Sequence, residues 1–194
     1  MLMKRACLTA LMLTAMPLAA CAPYGEDVAS ASETANPIVG GAAMYATRNI
    51  VENAVNSRDH TTLVAAVKAA GLVDTLSGPG PFTVFAPTNA AFAKLPAGTV
   101  DTLLQPANLS TLQAVLTYHV VPGRVTAAEL IDLIREGGGS ATLTTVQGGT
   151  LTARLMGDRV MLTDAKGGMS HVTQADVMQS NGVIHVTDAV SLPG

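Results

Sequence analysis

Histidine, aspartate and serine are the residues of this chain that could form a hydrolytic triad, in which a histidine base lies between a carboxylate and a nucleophilic hydroxyl. The acid and base candidates are His119, His171, His185, Asp164 and Asp188, and the serines are Ser77, Ser110, Ser140, Ser170 and Ser191. The sequence contains no Gly-x-Ser-x-Gly nucleophile elbow, and each of these serines lies in a turn or helix-cap context. We therefore expect a protein that is not an enzyme.

Metal and phosphate sites have equally little support in the sequence. A metal site would need ligands at short spacing, such as two histidines four residues apart on a helix, and the four histidines include no such pair. Gly148-Gly149 and Gly167-Gly168 lack the lysine–serine or lysine–threonine pair and the helix of a phosphate loop. The formal net charge of −3 leaves no basic surplus for nucleic acid. We expect no metal, no cofactor and no nucleic-acid partner.

The first twenty residues have the pattern of an export signal. Lys4 and Arg5 precede an apolar stretch over residues 6–15, and small residues follow. That stretch is shorter than the roughly 20 residues that a helix needs to cross a membrane. Leu18-Ala19-Ala20-Cys21 resembles the lipobox of bacterial lipoproteins, in which the cysteine receives a diacylglyceryl group and becomes the first residue after cleavage. The alternative is an ordinary secretory signal that ends at a chance cysteine.

Lipidation of Cys21 would determine both the location of the protein and its cysteine chemistry. We expect an exported protein that is anchored by this lipid to the cell membrane or the outer membrane and faces the periplasm or the exterior. Cys7 leaves with the signal and Cys21 carries the lipid, so no cysteine remains for a disulfide. The fold must then depend on an apolar core. Residues 21–43 are predicted to be the lipidated cysteine and a flexible linker, and residues 44–194 one domain.

Helical periodicity dominates the first half of this domain. Asp59 is predicted to cap a helix that ends at Gly71, and Thr88 and Thr99 are predicted to cap two short helices. A strand over residues 82–85 lies between the first two of these helices. Leu109, Leu112, Val115, Leu116 and His119 form one apolar stripe of a helix that ends before Pro122-Gly123, and a last helix covers about residues 127–135.

Strand periodicity replaces helical periodicity in the second half. The alternating, β-branched runs cover residues 141–146, 150–155, 159–163, 171–177 and 183–186. Glycine-containing turns separate them, and Asn181-Gly182 is predicted to supply the positive φ of a tight turn. Helices followed by strands predict an α+β fold and not an alternating parallel one.

Three sequence boxes resemble the signatures of the fasciclin domain family. They are Phe82–Phe92, which reads FTVFAPTNAAF, Leu116–Gly123, which reads LTYHVVPG, and Ser180–Asp188, which reads SNGVIHVTD. The boxes occur in the family's order, and the resemblance spans about residues 44–192. It implies a β-sandwich-like core with helices packed on one side and edge. It also implies a role in adhesion or in matrix or surface attachment, without enzyme activity, metal or cofactor.

Four residues are candidate adhesion contacts by this resemblance. Asp176-Val177 lies where adhesive animal members carry an Asp-Ile pair, and Tyr118-His119 matches a second segment implicated in adhesion. The residues themselves also allow a structural role. His119 extends an apolar stripe, so its ring should lie in the core with a nitrogen bonded to backbone, whereas the Tyr118 hydroxyl should reach water. Whether His185 points to solvent stays open.

The sequence thus predicts a membrane-anchored module that binds a surface, matrix or cell-envelope protein or polysaccharide. A second hypothesis, from a different class, is a small-molecule carrier or accessory protein that uses an apolar pocket between helices and sheet. Pockets form by packing between distant segments, so the sequence does not decide between the two.

Overall fold

The structure is a computed structural model that describes residues 36–96 and 98–194. The predicted export signal and Cys21 lie outside the described residues, as does most of the predicted linker. Among the described residues, no helix combines the length and the apolar character required to span a membrane.

In the part of the chain that the structure describes, seven α-helices and nine strands follow one another in an α+β arrangement. The helices are α1 (Ile50–Ala54), α2 (Thr61–Ala69), α3 (Val73–Ser77), α4 (Asn89–Ala93), α5 (Thr99–Leu103), α6 (Leu109–Tyr118) and α7 (Ala127–Glu136) within the described ranges. The strands there are β1 (Ile38–Val39), β2 (Ala42–Ala43), β3 (Phe82–Pro87), β4 (Val120–Pro122), β5 (Ser140–Thr144), β6 (Thr150–Met156), β7 (Arg159–Thr163), β8 (Met169–Gln179) and β9 (Gly182–Thr187). The predicted fold class is confirmed.

Strands β3 to β9 form a single mixed sheet of seven strands in the order β4-β3-β9-β8-β7-β6-β5. β3 and β9 run parallel, and the other neighbours are antiparallel. The pairing of β8 with β9 shifts register twice, between Val172 and Gln174 and between Gln174 and Val177. A backbone hydrogen bond of 2.7 Å from Val146 N to Val120 O joins the loop after β5 to β4. The two edges of the sheet therefore meet, and the arrangement is nearly a closed barrel.

Two apolar cores lie on opposite faces of β3. Val84 and Ala86 face a core built with the first six helices, whereas Phe85 between them faces a second core. The second core packs α7 and β4 against β5, β6 and β7. Successive residues of a strand point to opposite faces, so β3 must be apolar on both sides. Helices α1–α6 thus pack against one face of β3, and α7 packs with the core on its other face.

Several local predictions hold at the helix ends, and others need correction. Thr88 caps α4, because its side chain accepts a hydrogen bond from Ala91 N at 3.2 Å. Asp59 does not cap α2: it lies in a short 3₁₀ turn, and His60 holds the cap position without a side-chain bond. Thr99 is the first residue of α5, after Gly98. A helix was expected to continue toward Pro122, but α6 ends at Tyr118 and β4 follows.

The turn at Asn181-Gly182 works differently from the predicted positive-φ turn. Neither residue has a positive φ. Glycine is needed at 182 because a Cβ there would overlap the backbone carbonyl of Phe82. The Asn181 side chain donates to the carbonyls of Leu76 and Gly78 at 2.8 and 3.0 Å. The turn therefore fixes the loop that leads into β3 against the start of β9.

The folded region begins before the predicted boundary at residue 44. β1 and β2 pair within residues predicted to be linker, and Val39 and Met44 lie in the first core. The linker prediction rested on Pro37, Gly40 and Gly41, which are also the residues of a tight hairpin. Gly40 has a φ of +57°, and its carbonyl accepts a hydrogen bond from Arg58 N.

Candidate functional site

Tyr118 ends helix α6 with its side chain fully buried in the second core. Its hydroxyl donates to the Thr150 carbonyl and accepts from Ala165 N at 3.0 Å. Burial raises the pKa of this phenol. The expectation that the hydroxyl would reach water is wrong, because α6 points the ring into the second core, where β6 supplies the acceptor, Thr150 O, and the loop after β7 supplies the donor, Ala165 N.

His119 follows Tyr118 and lies on the inner side of the fold, as its place on the apolar stripe predicts. The ring is 3% exposed. Nδ1 donates to the Val115 carbonyl at 2.7 Å, and Nε2 accepts from Ser191 N at 3.0 Å. One donating and one accepting nitrogen define a neutral imidazole, and burial lowers the pKa of His119. His119 therefore connects α6 to the C-terminal segment.

Asp164 and Ser191 lie beside His119, but the three residues do not form a nucleophile–base pair. Nε2 of His119 is bonded to the backbone amide of Ser191, and the Ser191 hydroxyl faces that of Ser170 at 3.5 Å. The carboxylate of Asp164 accepts three backbone amides, from Lys166, Gly168 and Leu192, at 2.7–3.0 Å. This group of residues holds the chain after β7 and the C-terminal segment in place.

Val177 is fully buried in the first core. A side chain in that position does not reach a partner from the folded domain. Its neighbour Asp176 is exposed and lies in the irregular part of β8, with a φ of +56°. Positive φ is uncommon for a residue other than glycine, and aspartate tolerates it better than most. The bulge turns the carboxylate of Asp176 away from the core that holds Val177.

The carboxylate of Asp176 binds the N-terminus of α7. Its Oδ1 accepts from Ala127 N, the first residue of the helix, at 2.7 Å. Helix α7 has a capping box as well, in which Thr126 and Glu129 each bond the other's backbone amide. The amides at a helix N-terminus lack partners within the helix, so a carboxylate is stabilising there. Asp176 is thus an exposed residue with a structural function.

His185 is the third residue of this arrangement. The sequence left open whether its side chain points to solvent. It is 1% exposed. Nε2 donates to the Val125 carbonyl at 2.9 Å, and Nδ1 accepts from Asp176 N at 3.3 Å. The ring stacks on Phe85 with centroids 5.6 Å apart, and burial lowers the pKa of His185. The unbroken apolar context of β9, a strand with neighbours on both sides, was the signal for this burial.

The four candidate adhesion contacts therefore separate into two classes. Tyr118, His119 and Val177 are buried, and of the four only Asp176 presents a side chain to solvent. Asp176 as a contact residue stays a prediction. The helix that it caps borders an open groove of about 360 Å³, which is lined by Arg124, Val125, Glu129, Asp132, Leu133 and Glu136.

Charged side chains elsewhere on the described surface form small ion pairs and no metal site. Asp188, in the closing box, lies 3.3 Å from Lys94 Nζ and accepts from His171 N at 2.7 Å. Among the described residues, no three His, Cys, Asp or Glu side chains gather in a way that could hold a metal ion.

Comparison with known protein families gives a match over most of the domain. The family model described as "Fasciclin domain" matches residues 58–193. The chain is 49% identical over 156 residues to Protein sll1483 of Synechocystis, which covers 80% of this chain and 79% of that protein.

Two further relatives have mycobacterial sources. Immunogenic protein MPB70 of Mycobacterium bovis is 34% identical over 195 residues, covering 91% of each chain. Cell surface glycolipoprotein MPB83 of the same species is 33% identical over 184 residues, covering 85% of this chain and 76% of the relative.

A solved structure shares the fold. It is a FAS1 domain pair from the insect cell adhesion molecule Fasciclin I, with a TM-score of 0.65 and 20% identity. The alignment covers 74% of this chain and 50% of the insect one, so this chain spans about half the length of that structure.

Proposed function

This chain belongs to the fasciclin domain family, and from that premise we propose that it is an exported, lipid-anchored protein that binds a protein or polysaccharide of a surface, matrix or cell envelope. Its relatives support a surface or adhesion-type role. The relatives do not show lipid anchoring of this chain or the nature of its partner, and these two points are the proposal.

The observation that carries this proposal is an agreement between two independent features. The name of one relative and the sequence before the domain both indicate a lipid-anchored surface protein. One relative that aligns along most of this chain is named as a cell surface glycolipoprotein. Independently, Leu18-Ala19-Ala20-Cys21 has the sequence of a lipidation site behind an export signal. Several acyl chains on one residue hold a protein firmly to a bilayer, since each buried CH₂ contributes about 0.8 kcal/mol.

The surface that Asp176 shares with helix α7 is the contact region that we propose for the partner. It carries both charges and apolar area, because Arg124, Glu129 and Asp132 surround Leu133, which is 42% exposed. Such a mixture is typical of the rim and centre of a protein interface. Tyr118, His119 and Val177 are buried and do not form part of this surface.

Photo-cross-linking on intact cells tests the proposal. A photoreactive residue at position 133, on α7, should form a covalent adduct with one defined cell-envelope or matrix component. The matched control is position 156, where Met156 is similarly exposed in the β6–β7 hairpin. Equal labelling from both positions, or no adduct from position 133, would contradict the proposed contact region.

A further inference from the structure

The β1–β2 hairpin is apolar on both of its faces. Val39 and Met44 point inward and are buried in the first core. Ile38 and Tyr45 are their neighbours in the chain, and successive residues of a strand point to opposite faces. Both therefore lie on the outer side, where Ile38 is 67% exposed and Tyr45 is 41% exposed. The outer side of an antiparallel hairpin is ordinarily polar, so this hairpin departs from the usual pattern.

The two exposed side chains belong to one continuous surface. Ile38 is paired directly with Ala43 across the hairpin. A hydrogen bond of 2.9 Å from Met44 N to Pro37 O continues the pairing toward Tyr45. Tyr45 therefore lies two residues beyond the partner of Ile38 on the same side, a diagonal relation within reach of an aromatic ring. We call Ile38, Ala43 and Tyr45 the hairpin face.

Tyr45 is held in place and carries a cation at its edge. The buried side chain of Asn53 accepts from Tyr45 N at 3.1 Å and donates to Tyr45 O at 2.8 Å. The guanidinium carbon of Arg48 lies 4.7 Å from the centre of the Tyr45 ring. Within residues 36–96 and 98–194, Arg48 takes part in no salt bridge. Its N–H groups can therefore bond phosphate oxygens from outside the protein.

This combination of side chains fits a membrane–water interface. Aliphatic and aromatic side chains insert at the boundary between lipid headgroups and acyl chains, and tyrosine is enriched there because its ring is apolar and its hydroxyl is polar. Arginine beside them meets the headgroup phosphates.

The hairpin face also lies where the chain from the predicted lipid anchor joins the domain. Cys21 and Asn36 are 15 residues apart in the sequence, and a chain of that length spans at most about 50 Å. A lipid on Cys21 would therefore keep the hairpin within that distance of the bilayer. Tethering raises the local concentration of a binding surface, so a contact that is weak by itself is sufficient.

We propose that the hairpin face docks on the lipid bilayer that carries the anchor. Ile38 and Tyr45 insert at the boundary between headgroups and acyl chains, and Arg48 bonds lipid phosphates. The contact holds the domain in one orientation on the membrane. This inference rests on the anchoring part of the proposed function, and it concerns other residues than those of the contact region at Asp176 and α7.

The fluorescence of a single tryptophan measures this docking. The sequence contains no tryptophan, so Tyr45→Trp gives the full, lipid-anchored protein one reporter on the hairpin face. The protein is reconstituted into phosphatidylcholine vesicles with or without bromine on the acyl chains. Bromine quenches tryptophan on contact, and the emission should fall by about half for a ring at the acyl boundary. The matched control is Met156→Trp, at an exposed residue of the β6–β7 hairpin, whose emission should not change.

Further variants identify the residues that make the contact. Ile38→Asp, combined with Tyr45→Trp, should restore most of the emission, because a carboxylate does not enter an apolar boundary. Met169→Asp changes another exposed apolar residue and is its control, with no expected effect. Arg48→Gln should restore part of the emission, and Arg159→Gln, at an exposed arginine of β7, should restore none. Equal effects of Ile38→Asp and Met169→Asp would overturn the assignment.

Flotation of the same vesicles separates this inference from the proposed anchoring. If the Tyr45→Trp protein floats with the vesicles but keeps its full emission, it is anchored without docking, and this inference alone is overturned. Equal quenching of Tyr45→Trp and Met156→Trp would overturn it as well, because the domain would then have no preferred face. A protein that does not float lacks the anchor, which would contradict both proposals.

Discussion

The carboxylate of Asp176 accepts a hydrogen bond of 2.7 Å from the backbone amide of Ala127, 49 positions earlier in the chain. This contact joins the bulge of β8 to the first turn of α7. It gives the exposed residue of the Asp176-Val177 pair a structural role that a sequence motif does not reveal.

Asp176→Ala is expected to destabilise the domain by about 1 kcal/mol, because it removes a charged cap and leaves alanine at positive φ. Asp176→Asn should lose less stability, since asparagine tolerates this backbone conformation and its side chain retains a hydrogen-bond acceptor. Urea unfolding of both variants measures the difference, with Asp132→Ala on the exposed face of α7 as control. Equal stability of Asp176→Ala and wild type would contradict the capping role.

Tyr118→Phe removes a buried hydroxyl that is bonded to Thr150 O and Ala165 N. We expect a loss of about 0.5–1.5 kcal/mol in unfolding free energy, because the hydroxyl's hydrogen bonds to these two backbone groups are lost. Tyr45→Phe, at an exposed tyrosine, is the matched control and should be close to neutral. If the two variants have the same stability, the Tyr118 hydroxyl does not connect these segments.

His119→Ala should lower the free energy of unfolding by roughly 2–4 kcal/mol, because it leaves a cavity and two unpaired backbone groups. The matched control is His171→Ala, whose ring is partly exposed beside Asp188. Any loss of adhesion in His119→Ala would follow from lost folding. Unfolding and attachment measured on the same samples separate the two causes: wild-type stability with attachment abolished would make His119 a contact residue.

The sequence predicts these features unequally, for physical reasons. His119 was predictable because a helical stripe fixes which side of α6 is inside, and Thr88 was predictable because caps are local. The hydrogen bonds of Asp176 and His185 were not predictable, since their partners Ala127 and Val125 lie about 50 and 60 positions away. The β1–β2 hairpin was mistaken for linker because its glycines and proline fit both structures equally well.

Acidification should destabilise the domain through three buried histidines. Burial lowers the pKa of His60, His119 and His185, so the unfolded chain takes up protons near pH 6.5 that the folded chain does not. Stability is therefore full above about pH 6.5 and falls as the pH drops from there toward the lowered pKa values. The unfolding free energy changes by up to about 1.4 kcal/mol per pH unit for each histidine.

Urea unfolding as a function of pH measures this dependence. A stability that stays constant from neutral pH down to about pH 5 would show that the three rings are charged or accessible in the folded state.

The most direct test of the account is the distribution of the protein between membrane and soluble fractions after Cys21→Ser. The account predicts that the variant leaves the membrane fraction, because the serine hydroxyl does not form the thioether that carries the diacylglyceryl group. Cys7→Ser is the matched control and should remain membrane-bound, since Cys7 is removed with the signal. Full retention of Cys21→Ser in the membrane fraction would contradict lipid anchoring at this residue and the location proposed for the domain.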